Sequence, residues 1–412
     1  MKSSTPRSLV LLLTLMGVSV IVAQSPSNNG NPPPAHHHLG PPPRAGGRLG
    51  DPLPDLTQDQ LNDFTNGLSQ FENVVGIEEG LGPIYNNTSC ANCHATPVVG
   101  GSGTGLVTRF GRMEKGDFDP LTELGGTLLE SQAINPAVLE RIPPEANVIA
   151  QRQTMPLFGS GLIEAVPDKT IKELAQRKKA DGVLGRPALI QDITTDELRV
   201  GRFGWKAQQA TLLAFSADAY LNEIGVTNRY FPTDNAPNGN EQLLAEFEPQ
   251  GLPTPQDQPD SVTGKAGIDR FADFLRYLAP PPPPRATGEM QTGLGIFTRL
   301  GCAECHVPTL YTGPNKIQAL DRKPLTLWSD LLLHDMGSLN DGIAQGDALP
   351  NEMKTAPLWG LRHSAPYLHD GRAPTIADAI DGHDGEAAIS RDRFDKLSTA
   401  QQKQLIDFLN SL

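Results

Sequence analysis

Apolar positions recur at helical spacing near both ends of the chain. Leu61, Phe64, Leu68 and Phe71 follow Thr57, which with Gln60 forms a capping box, so the pattern predicts a helix there. Ser398 and Gln401 repeat that signature ahead of Leu405, Phe408, Leu409 and Leu412. Thr375 and Asp378 cap a third segment, in which Ile376, Ala379, Ile380 and His383 fall at i, i+3, i+4 and i+7. His383 therefore shares an apolar, inward-packing face. Few segments alternate with period two, so the pattern predicts a mainly α fold with long loops and few short strands. Residues 100–165 are ambiguous between loops and short strands. A weak internal repeat relates residues 80–85 to residues 293–297, where Gly-Leu-Gly leads in each case to an aliphatic and an aromatic residue.

Interruptions of the pattern suggest the domain limits. Residues 1–23 read as a secretion signal: Lys2 and Arg7 precede an apolar run over 9–22, and Ala23 ends it. The run is short for a bilayer span, and no later segment is long and apolar enough to be one. Residues 24–53 are Pro, Gly, Asn and Ser with His36, His37 and His38, a composition that reads as a disordered tether. The proline run over 280–284 reads as a hinge between an N-terminal domain over 54–279 and a C-terminal domain over 285–412. The net charge of −13 disfavours nucleic acid and anionic lipid as partners and suits a neutral or basic redox partner.

The four cysteines change the picture. They fall in Cys90-Ala91-Asn92-Cys93-His94 and Cys302-Ala303-Glu304-Cys305-His306. Two thiols three positions apart reach the two vinyl groups along one side of a porphyrin, and the next histidine lies under the iron. A Cys-x-x-Cys pair also occurs in redox-active dithiols and zinc sites. Two copies, each with an adjacent His, behind a secretion signal and with no spare Cys, point to two covalently bound haem c groups in an exported protein, periplasmic or secreted. His94 and His306 are the proximal ligands of this reading.

The sixth iron position separates electron transfer from chemistry on oxygen or peroxide. Outside the tether, the remaining histidines are His334, His363, His369 and His383, all C-terminal. The N-terminal site has no second histidine, and Met113 and Met155 are its sulfur candidates. Its iron is expected to be open or weakly ligated, with His94/Met ligation as the alternative. For the C-terminal site the apolar helical face selects His383, with His334 as runner-up and Met336 third.

The stretch over 328–387 resembles one family closely. It contains Ser329-Asp330-Leu331-Leu332-Leu333-His334-Asp335-Met336-Gly337, Thr355-Ala356-Pro357-Leu358-Trp359-Gly360-Leu361 and Tyr367-Leu368-His369-Asp370-Gly371-Arg372-Ala373. These resemble the di-haem oxidoreductases once catalogued as thiol oxidoreductases, relatives of bacterial di-haem cytochrome c peroxidases and of MauG. Residues 202–207 and 163–168 fit the same family. In those relatives the distal ligand of the C-terminal haem lies fourteen residues after a histidine in Thr-Ala-Pro-Tyr-x-His-Asp-Gly. Here that histidine corresponds to His369, and the resemblance implies His383 as the ligand, where the peroxidases carry Met and MauG carries Tyr. It also implies Ca²⁺ between the domains, partly through carbonyls of Ser364 and Pro366, Trp205 as an inter-haem electron carrier, and Glu164 as a distal-pocket base. The relatives' displaceable histidine after the first motif is missing here, which favours a permanently open first haem.

The expectation is thus a peroxide-using oxidoreductase, with the first haem as reaction site and the second as electron-transfer haem. Its electron donor would be a small cytochrome, a cupredoxin or a quinoprotein. The alternatives are a di-haem electron-transfer cytochrome without substrate chemistry and a rubber-cleaving haem oxygenase, for which the chain is short. A literal thiol oxidoreductase is disfavoured, because haem attachment would use every thiol.

Overall fold

The structure, a computed structural model, describes residues 47–283 and 288–412. The expected secretion signal, most of the tether with its three histidines, and Pro284 lie outside the described residues. Residues 47–53 were expected to belong to the tether but are packed: Leu53 is buried, and Pro52 forms an antiparallel bridge with Leu278. Helix occupies 36% of the chain and strand 15%, in small sheets, none of which closes into a barrel. The predominance of helix agrees with the periodicity, although the short strands are more numerous than the sequence suggested.

All three expected caps form. Thr57 Oγ1 accepts from the Gln60 amide, and Gln60 Oε1 accepts from the Thr57 amide, at the head of the helix Gln58–Glu72. Ser398 with Gln401 and Thr375 with Asp378 do the same for Thr399–Ser411 and Ile376–Asp381. Each reciprocal cap satisfies two amides that the first turn leaves without partners.

Two helix crossings organise the chain, and both turn on a glycine. Gln58–Glu72 lies across Gly267–Tyr277 at Gly67, where a Cβ would come within 2.4 Å of the Arg270 carbonyl. Around the crossing, Phe71 and Phe64 pack on Phe274 with ring centres 4.9 and 5.4 Å apart. Gly288–Leu300 lies across Thr399–Ser411 at Gly293, where a Cβ would meet the Gln404 carbonyl at 2.6 Å. There Phe297 packs on Phe408 at 5.7 Å. In each crossing a phenylalanine four residues after the glycine turns toward a motif histidine: Phe71 to His94 at 6.0 Å and Phe297 to His306 at 6.4 Å.

These crossings correct the internal repeat expected from sequence. Residues 293–297 lie inside a helix, whereas residues 80–85 run from a left-handed turn at Gly80 into the strand Ile84–Tyr85. The counterpart of Gly293-Leu294-x-x-Phe297 is Gly67-Leu68-x-x-Phe71, which the spacing to the cysteines conceals.

The ambiguous region holds a small antiparallel sheet. Its central strand Leu106–Glu114 pairs with Asp117–Asp119, Leu128–Leu129 and Val148–Gln153. Strand alternation sends Phe110 into the core and Val107 and Arg109 to the opposite side, where they line the cavity described below. The larger core collects Phe64, Phe71, Leu212 and Phe274, and also Leu310, Leu320, Leu327 and Leu332 from beyond the proline run. The smaller core holds Ile296, Phe297, Trp328, Phe394, Leu405 and Phe408.

Candidate haem centre

Both Cys-x-x-Cys-His motifs open onto one largely apolar cavity of about 470 Å³. On the first wall, Cys90, Cys93 and His94 stand beside Phe71, Met155 and Leu157. Burial pushes the Cys90 and Cys302 thiols up to about 12, the opposite of the depressed values that reactive dithiols and metal thiolates need. All four cysteines are free. This chemistry fits thiols reserved for a covalent partner and does not fit the thiol–disulfide alternative.

Three histidines share one arrangement. His94 Nδ1 lies 3.2 Å from the Gly101 carbonyl, His306 Nδ1 3.0 Å from the Trp328 carbonyl and His383 Nδ1 2.7 Å from the Ala379 carbonyl. A carbonyl at Nδ1 fixes the proton there and leaves the Nε2 lone pair free for a metal. Burial lowers all three, His94 and His306 to about 4, so each imidazole is neutral at physiological pH.

His306 and His383 face each other across the second half of the cavity, with ring centres 6.4 Å apart. Metal–imidazole bonds of about 2.0–2.1 Å on both sides of one ion would put the ring centres roughly 6 Å apart. Ile376, Ala379 and Ile380 line the cavity with His383, so the helical face read from sequence is the face that delivers it. The donor set and the gap fit an iron held between two imidazoles.

His334, the runner-up, has neither ring nitrogen free. Nδ1 meets Glu386 Oε2 at 2.7 Å and Nε2 meets Asp330 Oδ2 at 3.1 Å. Burial pulls its pKa down, but hydrogen bonds to Asp330, Cys305 and Glu386 outweigh this and raise it to about 12. It is an imidazolium within an ion-pair cluster that Lys179 completes at 2.7 Å from Asp330. Met336 lines the cavity but belongs to the turn beside that cluster.

The first site lacks a facing histidine. Met113 is absent from the cavity wall, and Met155 meets the His94 ring through its backbone carbonyl. Glu164 is also absent from the wall. Its carboxylate accepts from the Leu212 amide at 2.7 Å, at the head of the helix Leu212–Asn222, and pairs with Arg276 at 3.4 Å. The expected base is therefore committed to capping a helix. Ser216 Oγ and Arg109 Nε, by contrast, line the cavity, are buried and have no hydrogen-bond partner.

Trp205 joins the two walls. Its indole N–H donates to the Gln153 carbonyl at 2.9 Å, and its own carbonyl accepts from the Lys354 amide at 2.9 Å. Gln153 and Lys354 precede segments whose equivalence the sequence reading missed: Thr154-x-Pro156-Leu157-Phe158-Gly159 and Thr355-x-Pro357-Leu358-Trp359-Gly360. Both line the cavity and end in a left-handed glycine, φ +72° at each. Trp359 rests against Gly159, where a Cβ would approach its ring to 2.7 Å. A search for Thr-x-Pro-Leu-aromatic-Gly would have found the pair.

Among the described residues, no group of three or more His, Cys, Asp or Glu is poised to hold a metal ion, and no helix is long and apolar enough to cross a membrane.

Among solved structures, the chain is similar to a hydrazine synthase chain of Kuenenia stuttgartiensis, at 16% identity over 91% of this chain and 97% of that one, with a TM-score of 0.41. It is also similar to a MauG-like protein associated with microbial copper homeostasis, at 15% identity, 90% and 94% coverage and a TM-score of 0.40. A third is the diheme peroxidase BthA from Burkholderia thailandensis, at 12% identity, 90% and 93% coverage and a TM-score of 0.37. At these scores the likenesses carry no weight for function. No curated protein matches the chain. The family model described as "Di-haem oxidoreductase, putative peroxidase" matches residues 132–412, more than half of the chain and all of the second site. Together with two Cys-x-x-Cys-His motifs on one cavity, this match shows that the chain belongs to the di-haem oxidoreductase family.

Proposed function

We propose that the protein is an exported c-type di-haem oxidoreductase that uses peroxide, with its first haem as the reaction site and its second as an electron-transfer haem. The observation that carries this reading is the asymmetry of the histidines. His306 faces His383 at 6.4 Å, whereas among the described residues no second histidine ring pairs with His94. Cys90 and Cys93 would attach one haem with His94 as its ligand, and Cys302 and Cys305 the other with His306 and His383. Bound haems supply redox-active iron, open to a small ligand where one axial position is free.

The chain's own groups do the rest. Carbonyls at Nδ1 hold the three imidazoles in one tautomer and orientation. The apolar lining of Phe71, Leu157, Phe158 and Phe203 limits water around the first site. Trp205, bonded to both walls, is the candidate electron carrier between them. Electrons would come from a neutral or basic redox protein such as a small cytochrome, a cupredoxin or a quinoprotein. Ca²⁺ belongs to this proposal through the Ser364 and Pro366 carbonyls. Gln153 Oε1, buried without a partner and adjacent to Gly371 and Pro366, offers a third oxygen. The sequence over 1–23 supports a periplasmic or secreted location.

The ferric protein tests this by optical and EPR spectroscopy. One high-spin and one low-spin haem are expected, with cyanide changing the high-spin signal alone. Two low-spin haems indifferent to cyanide would make the protein an electron-transfer cytochrome. His383→Ala should abolish the low-spin signal of the second haem and leave the first untouched.

A further inference from the structure

If the first site is the open one, it needs a group that moves protons, and Glu164 points elsewhere. Among the described residues, the carboxylates that line the cavity are Asp218, Glu223 and Glu386. Glu386 is tied to His334 at 2.7 Å on the second wall. Asp218 and Glu223 remain, both at the helix Leu212–Asn222.

That helix turns one stripe to the cavity: Phe215, Ser216, Ala219 and Tyr220, continued by Glu223 at its C-cap. Its other side, with Leu212, Ala214, Ala217 and Leu221, is buried in the core. The Glu223 carbonyl accepts from the Asn86 and Asn87 amides at 2.9 and 3.0 Å, which fixes the residue against the segment leading into Cys90. Two turns earlier, Ser216 Oγ is buried with no partner, and Arg109 Nε on the strand Leu106–Glu114 is in the same state. Buried donors left without partners are costly, and a small polar ligand in the cavity would relieve both.

Glu223 also has a way out to solvent. Asn86 Nδ2 donates to its Oε2 at 3.0 Å, and Asn86 Oδ1 accepts from the hydroxyl of exposed Ser131 at 3.0 Å.

We propose that Glu223 is the acid–base residue for peroxide at the first site, with Ser216 Oγ hydrogen-bonding the substrate. This rests on the reading of that site as open. The Glu223 carboxylate takes a proton from one peroxide oxygen and returns it to the other. The O–O bond breaks, and the newly protonated oxygen leaves as water. Two electrons from a protein redox partner and two protons drawn through Glu223 release the second oxygen as water, so atoms and charge balance.

The surroundings suit the role. The groups facing Glu223 are Asp218 on its own helix, Arg109 on the strand, Asn86 beside it, Cys90 and Cys93 of the motif, and Glu130 beyond. Burial pushes Glu223 up to about 7, against the pull of Arg109 and Asn86. A base poised near ambient pH is the effective one.

Stopped-flow mixing of the haem-loaded ferric protein with hydrogen peroxide, and separately with cyanide, tests the proposal. Hydrogen cyanide loses its proton on binding, so it reads the base without turnover. Wild-type rates should rise with pH through about 7. Glu223→Gln should slow both reactions about 100-fold and flatten the profile, leaving the second haem's spectrum unchanged. Wild-type rates in Glu223→Gln, or a loss that appears in Asp218→Asn instead, would overturn the assignment. If Glu223→Gln fails to load haem, the wild-type profile decides, and a flat one between about pH 6 and 8 rejects Glu223. A wild-type protein that takes up no cyanide removes the open-site reading itself, a result distinct from failure of Glu223.

Discussion

The two walls of the cavity manage buried charge in opposite ways. On the first, Glu223 and Asp218, with Glu130 behind them, all sit above the usual carboxylate range, because burial disfavours their charged forms and few cations oppose it. On the second, burial also acts on Glu386 and on Asp330 behind it, yet both lie below that range, Asp330 at about 2, because hydrogen bonds and the charges of His334 and Lys179 outweigh burial. The first wall keeps acids that can exchange protons with a ligand. The second locks its ions, His334 included, to one another. The two sites thus differ in how their buried acids are paired, as the proposed division between chemistry and electron transfer requires, although their histidines carry the same Nδ1–carbonyl arrangement.

The contrast is most easily broken at Asp330. Asp330→Ala leaves Lys179 and His334 buried without their common anion, which should cost about 3–5 kcal/mol in urea unfolding of the haem-loaded protein. A loss below 1 kcal/mol would show that the cluster is not the anchor of the second wall. The acids of the two walls should also answer to pH in opposite windows. Asp330 has a depressed folded pKa, so its contribution is present above the unfolded value and lost as pH falls toward about 2. Glu223 has a raised folded pKa, so its contribution is present below the unfolded value and lost as pH rises through about 7. Urea midpoints of the wild type should therefore exceed those of Asp330→Asn near neutral and converge on them toward acid, and should fall below those of Glu223→Gln above neutral.

Smaller changes sharpen the comparison. Gly159→Ala and Gly360→Ala each place a Cβ at φ +72° against Trp359 or Pro281, and each should cost about 1–2 kcal/mol. Equal losses would mean that the two equivalent turns still do equivalent work. Trp205→Phe removes one hydrogen bond to Gln153 and should cost about 1 kcal/mol. Electron equilibration between the haems should slow in that variant while both haem spectra stay as in the wild type.

Local chemistry was legible in the sequence. The three capping boxes and the His383 face depend on residues within one or two turns, and all appear in the fold. What the sequence concealed depends on distant partners. Glu164 reads as an available acid until Leu212 and Arg276, 48 and 112 positions away, are brought to it. His334 is a plausible ligand until Glu386, 52 positions away, takes its Nδ1. Glu223 had a faint signal: a carboxylate continuing the stripe of Ser216, Ala219 and Tyr220 on a helix otherwise rich in Leu and Ala. The repeat was misaligned because eighteen residues separate Phe71 from its motif and four separate Phe297 from its own.

The larger core draws in Leu310, Leu320, Leu327 and Leu332 from the far side of the proline run. Two segments with the same Gly-Leu-x-x-Phe and Thr-x-Pro-Leu-aromatic-Gly signatures suggest an ancestral doubling, yet the copies no longer own separate interiors. A cut at the prolines would carry one copy off without the leucines that complete its core, exposing that core to water. Neither copy is then complete by itself, and the two should unfold as a single unit.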